Sequence, residues 1–459
     1  MAQDATTQRV LFPGLFRRSL VAQFDQPHAT SDAGAVLLKA ADARLGLTQL
    51  LADCIYDPRR GGSIVHEVED LIRQRVFTLA CGYADCNDAA RLAHDPIYKL
   101  LVGRDPVQGD PLAAQPTLSR FENSVGPLTL FRMGVRVAER VIERHRQRLR
   151  GRARRVTIDL DPTEDPTHGA QQLSFFNGHY DSHCYLPLLA FISFDREPDQ
   201  YLCAAILRPG NAPDRRAAVP LLERLVERVR AAFPKARIRV RLDAGFAAPE
   251  VFAFLDAQPR LDYAVAMAKN KVLERRAARL MGTARRLSRA SGETEHVYGE
   301  CHYAAQTWPH KRRVIIKAEV VRHPGRDPKN NPRFVVTNLE KTPRWVYERV
   351  YCERGDVENR IKEVKYGVQI DRTSCSSFFA NQFRVLLTVA AYVLMQEIRI
   401  HAKKTSLARA QAATLRDQLF KVAGWVQVSV RRIVLHLPDS FAYRDVWQQV
   451  AVALGARTG

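Results

Sequence analysis

The spacing of apolar residues changes near residue 155, and this change limits the possible folds more than any other feature of the sequence. Before it, apolar residues recur every three or four positions, which predicts helices over residues 65–81 and 128–149. Gly82 is placed to end the first of these helices. In residues 155–161, polar and apolar side chains instead alternate with a period of two, and β-branched residues are present, which predicts a strand. The chain therefore combines a helical N-terminal region with a sheet-forming core.

The pattern after residue 155 predicts a mixed α/β architecture. Three strand-like segments come before the first clear helix, which covers 218–233. Strands and helices then alternate as far as residue 267, and the alternation is interrupted over 268–340 by a basic stretch and three strand-like segments. We predict six segments: an N-terminal arm (1–25), a helical domain (26–154), a first core part (155–267), a β-rich insertion (268–340), a second core part (341–402) and a C-terminal α/β tail (403–459).

The charge of the chain favours a polyanionic partner. Its 459 residues carry 70 Lys and Arg against 49 Asp and Glu, a formal net charge of +21, which suits nucleic acid. The longest uncharged apolar run, residues 385–395, is too short to cross a bilayer, and we find no signal peptide. The eight cysteines form no C-x-x-C pair. We expect an intracellular protein with reduced thiols and no membrane contact.

Four acidic residues on predicted strands and a predicted helix are candidates for a metal site. Asp159 and Asp161 are two positions apart on one predicted strand, so their side chains share a face. Asp243 ends a second predicted strand, and Glu358 lies on a predicted helix. Carboxylates bind Mg²⁺ through one or two oxygens and leave its other positions to water and phosphate. Two such ions activate a nucleophile and stabilise the leaving oxygen in phosphodiester chemistry.

The helix that carries Glu358 has a charged stripe. Arg354, Glu358 and Lys365 lie on one helical face, with Tyr351 one turn earlier. An acid between basic side chains suits a metal ligand beside bound phosphates. The alternative from spacing alone is a simple i,i+4 Arg–Glu pair with a solvated lysine.

These four residues resemble a known signature. Tyr351, Arg354, Glu358 and Lys365 match the Y-x2-R-x3-E-x6-K pattern of bacterial insertion-sequence transposases of the DDE class. Residues 159–169 with 185–191 look like the first-carboxylate region of the DDE group 1 transposases, and 241–246 look like the second. The resemblance covers roughly 25–440. It implies an RNase H-like core, interrupted by a β-rich insertion between the second Asp and the Glu, with an N-terminal helical DNA-binding domain.

The resemblance also implies roles for individual residues. Asp243 and Glu358 become catalytic metal ligands, and the first acid is Asp161, with Asp159 as the alternative. The metal is Mg²⁺, two ions per site, for which Mn²⁺ may substitute. Tyr351, Arg354 and Lys365 contact phosphates near the cleaved DNA end.

As a whole, the resemblance implies a cut-and-paste transposase. Its substrate is double-stranded DNA, namely the terminal inverted repeats of its element and the target. Joining two ends implies a dimer in the DNA complex. The location is the bacterial cytoplasm, in association with the nucleoid.

Two basic segments add candidate DNA contacts. Arginines at four-residue intervals form one stripe of the 128–149 helix, and we expect phosphate contacts from Arg136, Arg140 and Arg144. Residues 269–289 hold eight basic residues against one acid and favour the same role. His168 could reach substrate, whereas Trp308 either packs or stacks on an unpaired base.

Two other functions remain open from the residues alone. Asp159 and Asp161 also match the Asp-x-Asp-x-Thr motif of haloacid-dehalogenase-like phosphatases, with Asp159 as nucleophile. The strand-like segments that follow suit an RNase H-like meander better. A catalytically inactive, domesticated DNA-binding protein is the non-enzymatic alternative.

Overall fold

The N-terminal region is built of helices. The computed structural model describes residues 10–12, 16–18 and 20–457, so the predicted arm lies partly outside the described residues. Two strands of the arm pair with each other, β1 (Val10–Phe12) and β2 (Leu20–Ala22), and β3 (Ala29–Thr30) follows. Seven helices come next: α1 (Val36–Leu45), α2 (Leu47–Ala52), α3 (Val68–Ala80), α4 (Cys86–Arg91), α5 (Pro96–Val102), α6 (Gln115–Asn123) and α7 (Pro127–Arg148).

The ends of these helices follow local chemistry. Asp95 caps α5, because its side chain accepts hydrogen bonds from the backbone N–H groups of Ile97 and Tyr98. Gly103 ends the same helix with φ of 95°, a left-handed conformation that glycine adopts without strain. The observed α7 agrees with the predicted 128–149 helix to within one residue at each end.

The middle part of the chain contains strands β4 to β15 and three helices. The strands are β4 (Arg155–Pro162), β5 (Asp165–Pro166), β6 (Phe175–Asn177), β7 (Ser182–Tyr185), β8 (Leu188–Phe194), β9 (Tyr201–Ile206), β10 (Arg237–Leu242), β11 (Leu261–Met267), β12 (Glu295–Tyr303), β13 (Arg312–Val321), β14 (Lys329–Asn330) and β15 (Arg333–Thr337). The helices are α8 (Ala218–Ala232), α9 (Pro249–Ala257) and α10 (Lys271–Ser291).

Nine of these strands form one sheet. Its order is β12-β13-β15-β11-β10-β4-β8-β9, and β14 pairs with β13. Strands β4, β10 and β11 are parallel neighbours, whereas β4, β8 and β9 form an antiparallel meander. The register sets Asp159 of β4 directly opposite Arg241 of β10. Strands β5, β7 and β6 make a small separate sheet beside the end of β4.

The segment 268–340 contains more helix than its sequence pattern indicated. Its basic stretch is the helix α10, whose buried Leu273, Ala277 and Met281 pack towards β12 and β13. Its strands continue the main sheet, because β15 pairs with β11. Trp308 is buried against Phe252 and Tyr303, which supports a packing role.

The C-terminal part returns to helices and ends in a small sheet. Its helices are α11 (Pro343–Val346), α12 (Gly355–Val368), α13 (Phe378–His401), α14 (Ala412–Leu415) and α15 (Arg444–Ala453). A π-helical turn, Tyr347–Tyr351, and a 3-10 turn, Cys352–Arg354, separate α11 from α12. Strands β16 (Gly424–Val428) and β17 (Ile433–His436) pair with each other, and β16 pairs with β3.

Helix α13 joins the N-terminal helices to the sheet. It contacts α1, α3, α7 and β9, and nearly all its residues are buried. It is long and apolar enough to span a bilayer by composition, but 83% of that stretch is buried inside the fold. Gln382 and Gln396 accept hydrogen bonds from backbone N–H groups of the outer strand region at 2.6 and 3.2 Å. The helix thus covers the free edge of β9, which would otherwise expose unpaired backbone groups.

Candidate active site

Two acids meet at one edge of the sheet. Asp161 lies near the carboxyl end of β4, and Asp243 directly follows β10, its parallel neighbour. Carboxyl ends of neighbouring parallel strands lie side by side, so the order of the sheet brings these acids together. Nη2 of Arg354 lies 2.6 Å from Oδ1 of Asp161 and 3.6 Å from Oδ2 of Asp243. One guanidinium therefore bridges the two carboxylates.

The interruption between α11 and α12 positions this guanidinium. Arg354 is the last residue of the 3-10 turn and is only 8% exposed. Its Nε is buried without a hydrogen-bond partner. π-helical turns often occur at functional sites. Here the π-helical turn and the 3-10 turn together place Arg354 where its side chain contacts both acids.

The surroundings of Asp161 disfavour its negative charge. Burial, together with the charges of Asp243, Glu358 and Asp159, raises the pKa of Asp161 to about 7, against the opposing effect of Arg354. Burial also raises the pKa of Asp243, while Arg354 opposes this effect. Strongly perturbed carboxyl groups in a cleft are typical of functional sites.

Asp159 has different surroundings. It is fully buried, and its two oxygens accept hydrogen bonds from Nε and Nη2 of Arg241 at 2.6 and 2.7 Å. Arg241 is 4% exposed and also donates to the backbone oxygen of Val350 at 3.2 Å. This bidentate pair joins β4 and β10 to the π-helical turn, and of the two acids it is Asp161 that lines the cleft described below.

Glu358 lies in the first turn of α12 and is exposed. Its charge is one of those that raise the pKa of Asp161, so it lies within electrostatic reach of that acid. Within the part of the chain that the structure describes, no three Asp, Glu, His or Cys side chains converge closely enough to ligate one ion. The donor set still fits Mg²⁺, because it offers carboxylate oxygens and a cationic group already occupies the space between two of them.

A cleft of about 590 Å³ opens beside these acids. Its walls include Asp161, Asp243, Tyr351, His179 and Asp214. The sequence pattern assigned no role to His179 or Asp214. A side chain at Gly245, two residues after Asp243, would lie 1.8 Å from a carboxylate oxygen of Asp214, so only the lack of a side chain there lets Asp214 approach.

Lys365 of α12 contacts the segment that follows Asp161. Its Nζ donates to the backbone oxygen of Glu164 at 2.9 Å and lies 3.4 Å from Asp371. Asp165 of the same loop is fully buried and accepts hydrogen bonds from Thr373, and burial raises its pKa to about 8. Lys365 thus fixes the loop that follows Asp161, whereas His168 in that loop is exposed.

Comparison with known families separates the transposase from the phosphatase alternative. A family model described as transposase DDE domain group 1 matches residues 12–457, nearly the whole chain. The protein belongs to this transposase family. No curated protein matched the chain. The family match argues against the phosphatase alternative. The structure also argues against it, because its nucleophile would be Asp159, which is fully buried.

The predicted DNA contacts of the transposase differ in their surroundings. Arg144 makes three hydrogen bonds to the buried Glu397, at 2.6 to 3.0 Å, so its guanidinium is held inside the fold. Arg136 is exposed and Arg140 partly exposed, and neither forms an ion pair among the described residues. The solvent face of α10 presents further arginines, including Arg275, Arg279 and Arg286.

Proposed function

We propose that this transposase binds the terminal inverted repeats of its own insertion sequence, cleaves the DNA there and joins the freed ends to target DNA. Asp161, Asp243 and Glu358 would form the cleaving centre. The observation that carries the proposal is the meeting of Asp161 and Asp243 at the ends of two neighbouring parallel strands, in an open cleft and with raised pKa values.

The topology supports an RNase H-like core. The meander β4, β8 and β9 is followed by β10 and β11, both parallel to β4, which gives the spatial order β9-β8-β4-β10-β11. In chain order this is 3-2-1-4-5, the arrangement expected of that core. The first acid then lies on the central strand and the second on its parallel neighbour.

The residues of the chain suit a metal-dependent reaction. Asp161, Asp243 and Glu358 would hold Mg²⁺, which when bound supplies activation of the attacking oxygen and neutralises charge at the leaving oxygen. Arg354 bridges the two strand acids and would contact the DNA phosphate bound beside them. Tyr351 on the cleft wall would orient the DNA end.

The remaining surface supports DNA binding. Arg136 and Arg140 on α7 and the exposed Arg275 and Arg279 of α10 would contact phosphates, and such contacts account for much of the affinity of proteins for DNA. Lys365 would act by holding the loop after Asp161 and by contacting phosphate at its edge. A dimer in the DNA complex and association with the bacterial nucleoid belong to the same proposal.

A cleavage assay tests this function. The purified chain is incubated with end-labelled DNA from both edges of its own gene, with and without Mg²⁺, beside Glu358→Gln. The proposal predicts metal-dependent cleavage at a repeat boundary by the native chain only. Tight binding without cleavage by either protein would instead support the inactive DNA-binding alternative.

A further inference from the structure

The C-terminal hairpin, residues 424–436, projects from the body of the protein. Its strands β16 and β17 pair from Trp425 with His436 to Val428 with Ile433. Ser429 closes the turn, because its N–H and hydroxyl both donate to the backbone oxygen of Arg432 at 2.9 Å. The tip is therefore a short, ordered turn.

The base of the hairpin is fixed. Val426 is buried, and β16 pairs with β3 at Gly424 and Trp425. A side chain at Gly424 would lie 2.8 Å from Cβ of Ala33, so the base packs closely on the N-terminal region. Just before it, Nζ of Lys421 lies 2.8 Å from the fully buried Asp32. A rigid base holds the projecting tip in one direction.

The tip combines basic and apolar side chains that none of the described residues covers. Val430 is fully exposed, and Arg431 and Arg432 beside it are exposed and form no ion pair among the described residues. Val428 and Ile433 below them are also exposed. No Asp or Glu occurs from residue 418 to 438. The hairpin is thus a purely cationic element with an apolar end.

A two-stranded ribbon of this kind fits DNA. The major groove of B-DNA, about 12 Å wide, admits a helix or a two-stranded ribbon, and several DNA-binding proteins use strands in this way. Arginines pair with phosphates and with guanine edges, and small apolar side chains contact the thymine methyl group. Trp425, half-exposed, stacks on His436 with ring centroids 4.2 Å apart and stiffens the strands.

We propose that residues 424–436 form a DNA-contacting ribbon that enters the major groove, with Arg431 and Arg432 on phosphate or base edges and Val430 on the bases. This inference rests on the proposed function, since it adds a contact to the same DNA complex. It assigns the C-terminal tail a role in DNA binding that is separate from α7, α10 and the acidic cleft.

The test compares the affinities of three proteins for labelled duplex DNA from the gene edges at several salt concentrations. The proteins are the native chain, the double variant Arg431→Ala/Arg432→Ala, and the control Arg444→Ala, which removes an exposed arginine that pairs with Asp439 on the same tail. The double variant should raise Kd about tenfold. It should also reduce the slope of log affinity against log salt by about 1.8, at about 0.9 per phosphate contact. The control should change Kd less than twofold.

A second variant separates DNA from a protein partner. Val430→Asp adds a charge to a fully exposed position, so the fold is kept, and it should weaken DNA binding without changing the mass measured by light scattering. An unchanged Kd in the double variant, with the native chain bound, overturns the ribbon and leaves the proposed function intact. Loss of a dimer by Val430→Asp with unchanged DNA affinity also overturns it, in favour of self-association. No DNA binding by the native chain contradicts both the ribbon and the proposed function.

Discussion

The two acids of β4 offer a direct test of the site. We expect the change to Asn to reduce stability at Asp159 and to abolish DNA cleavage at Asp161. Asp159→Asn removes one partner of a bidentate pair in which the acid is 0% and the arginine 4% exposed. Breaking a buried ion pair at one partner costs about 3–5 kcal/mol, since the other charge stays buried. Asp161→Asn removes a single hydrogen bond to Arg354, which keeps Asp243 nearby. It also removes a charge that burial disfavours, which is why the pKa of Asp161 is raised. These two effects oppose each other, so we expect a net change in stability below about 1 kcal/mol.

Thermal unfolding and DNA cleavage measure the two effects. An unfolding entropy of about 2.1 cal/mol/K per residue gives a shift of about 1 °C per kcal/mol for a chain of this length. Asp159→Asn should therefore lower Tm by about 3–5 °C, whereas Asp161→Asn should change Tm by less than about 1 °C and abolish cleavage. The double change Asp159→Leu/Arg241→Met should restore much of the stability, because it removes the whole pair.

Two results would refute this reasoning. If Asp159→Asn kept its Tm and lost cleavage, Asp159 would be the first catalytic acid. If Asp161→Asn kept full cleavage, the acid that lines the cleft would have no part in the reaction.

Further predictions concern other charged groups. Glu358→Gln should lose cleavage while DNA affinity stays within about threefold, as gel-shift titration can show. Chelation of divalent metal should stop cleavage by the native chain, and added Mg²⁺ should restore it. Arg140→Ala should weaken DNA binding and leave Tm unchanged, whereas Arg144→Ala should lower Tm, because it unpairs the buried Glu397. Hydrogen bonds from His401 and Arg144 hold the pKa of Glu397 at about 2 despite its burial. At pH values above 4.5 the ionised Glu397 therefore stabilises the fold by about 3 kcal/mol, and this contribution is lost as the pH falls towards 2. The free-energy difference between the native chain and Glu397→Gln should shrink over that range; a constant difference would contradict the assignment.

Local pattern predicted much of the secondary structure. The strand at 155–161 and the helices at 128–149 and 218–233 lie within one residue of the observed β4, α7 and α8. These elements have strong periodicity and clear end signals, which act over a few residues. Asp161, Asp243 and Glu358 were candidates from the sequence, and the parallel pairing of β4 with β10 is what brings the first two together.

Long-range contacts were not predictable from spacing. Arg144 matched a phosphate-binding stripe, but its partner Glu397 lies 253 residues away in sequence. Pairing of β15 with β11 joins the segment 268–340 to the main sheet, and no local pattern encodes such pairing. The helix that carries Glu358 begins only at Gly355, because a π-helical turn at Tyr347–Tyr351 and a 3-10 turn at Cys352–Arg354 come before it.

The central claim is that Asp161, Asp243 and Glu358 form one metal-binding centre, and iron-directed cleavage of the protein tests it without any DNA substrate. Fe²⁺ replaces Mg²⁺, and ascorbate with peroxide then cuts the backbone close to the bound ion. The account predicts fragments that end near residues 161, 243 and 358, that disappear with excess Mg²⁺ and that are lost in Asp161→Asn. Fragments ending elsewhere, or an unchanged pattern in Asp161→Asn, would contradict it.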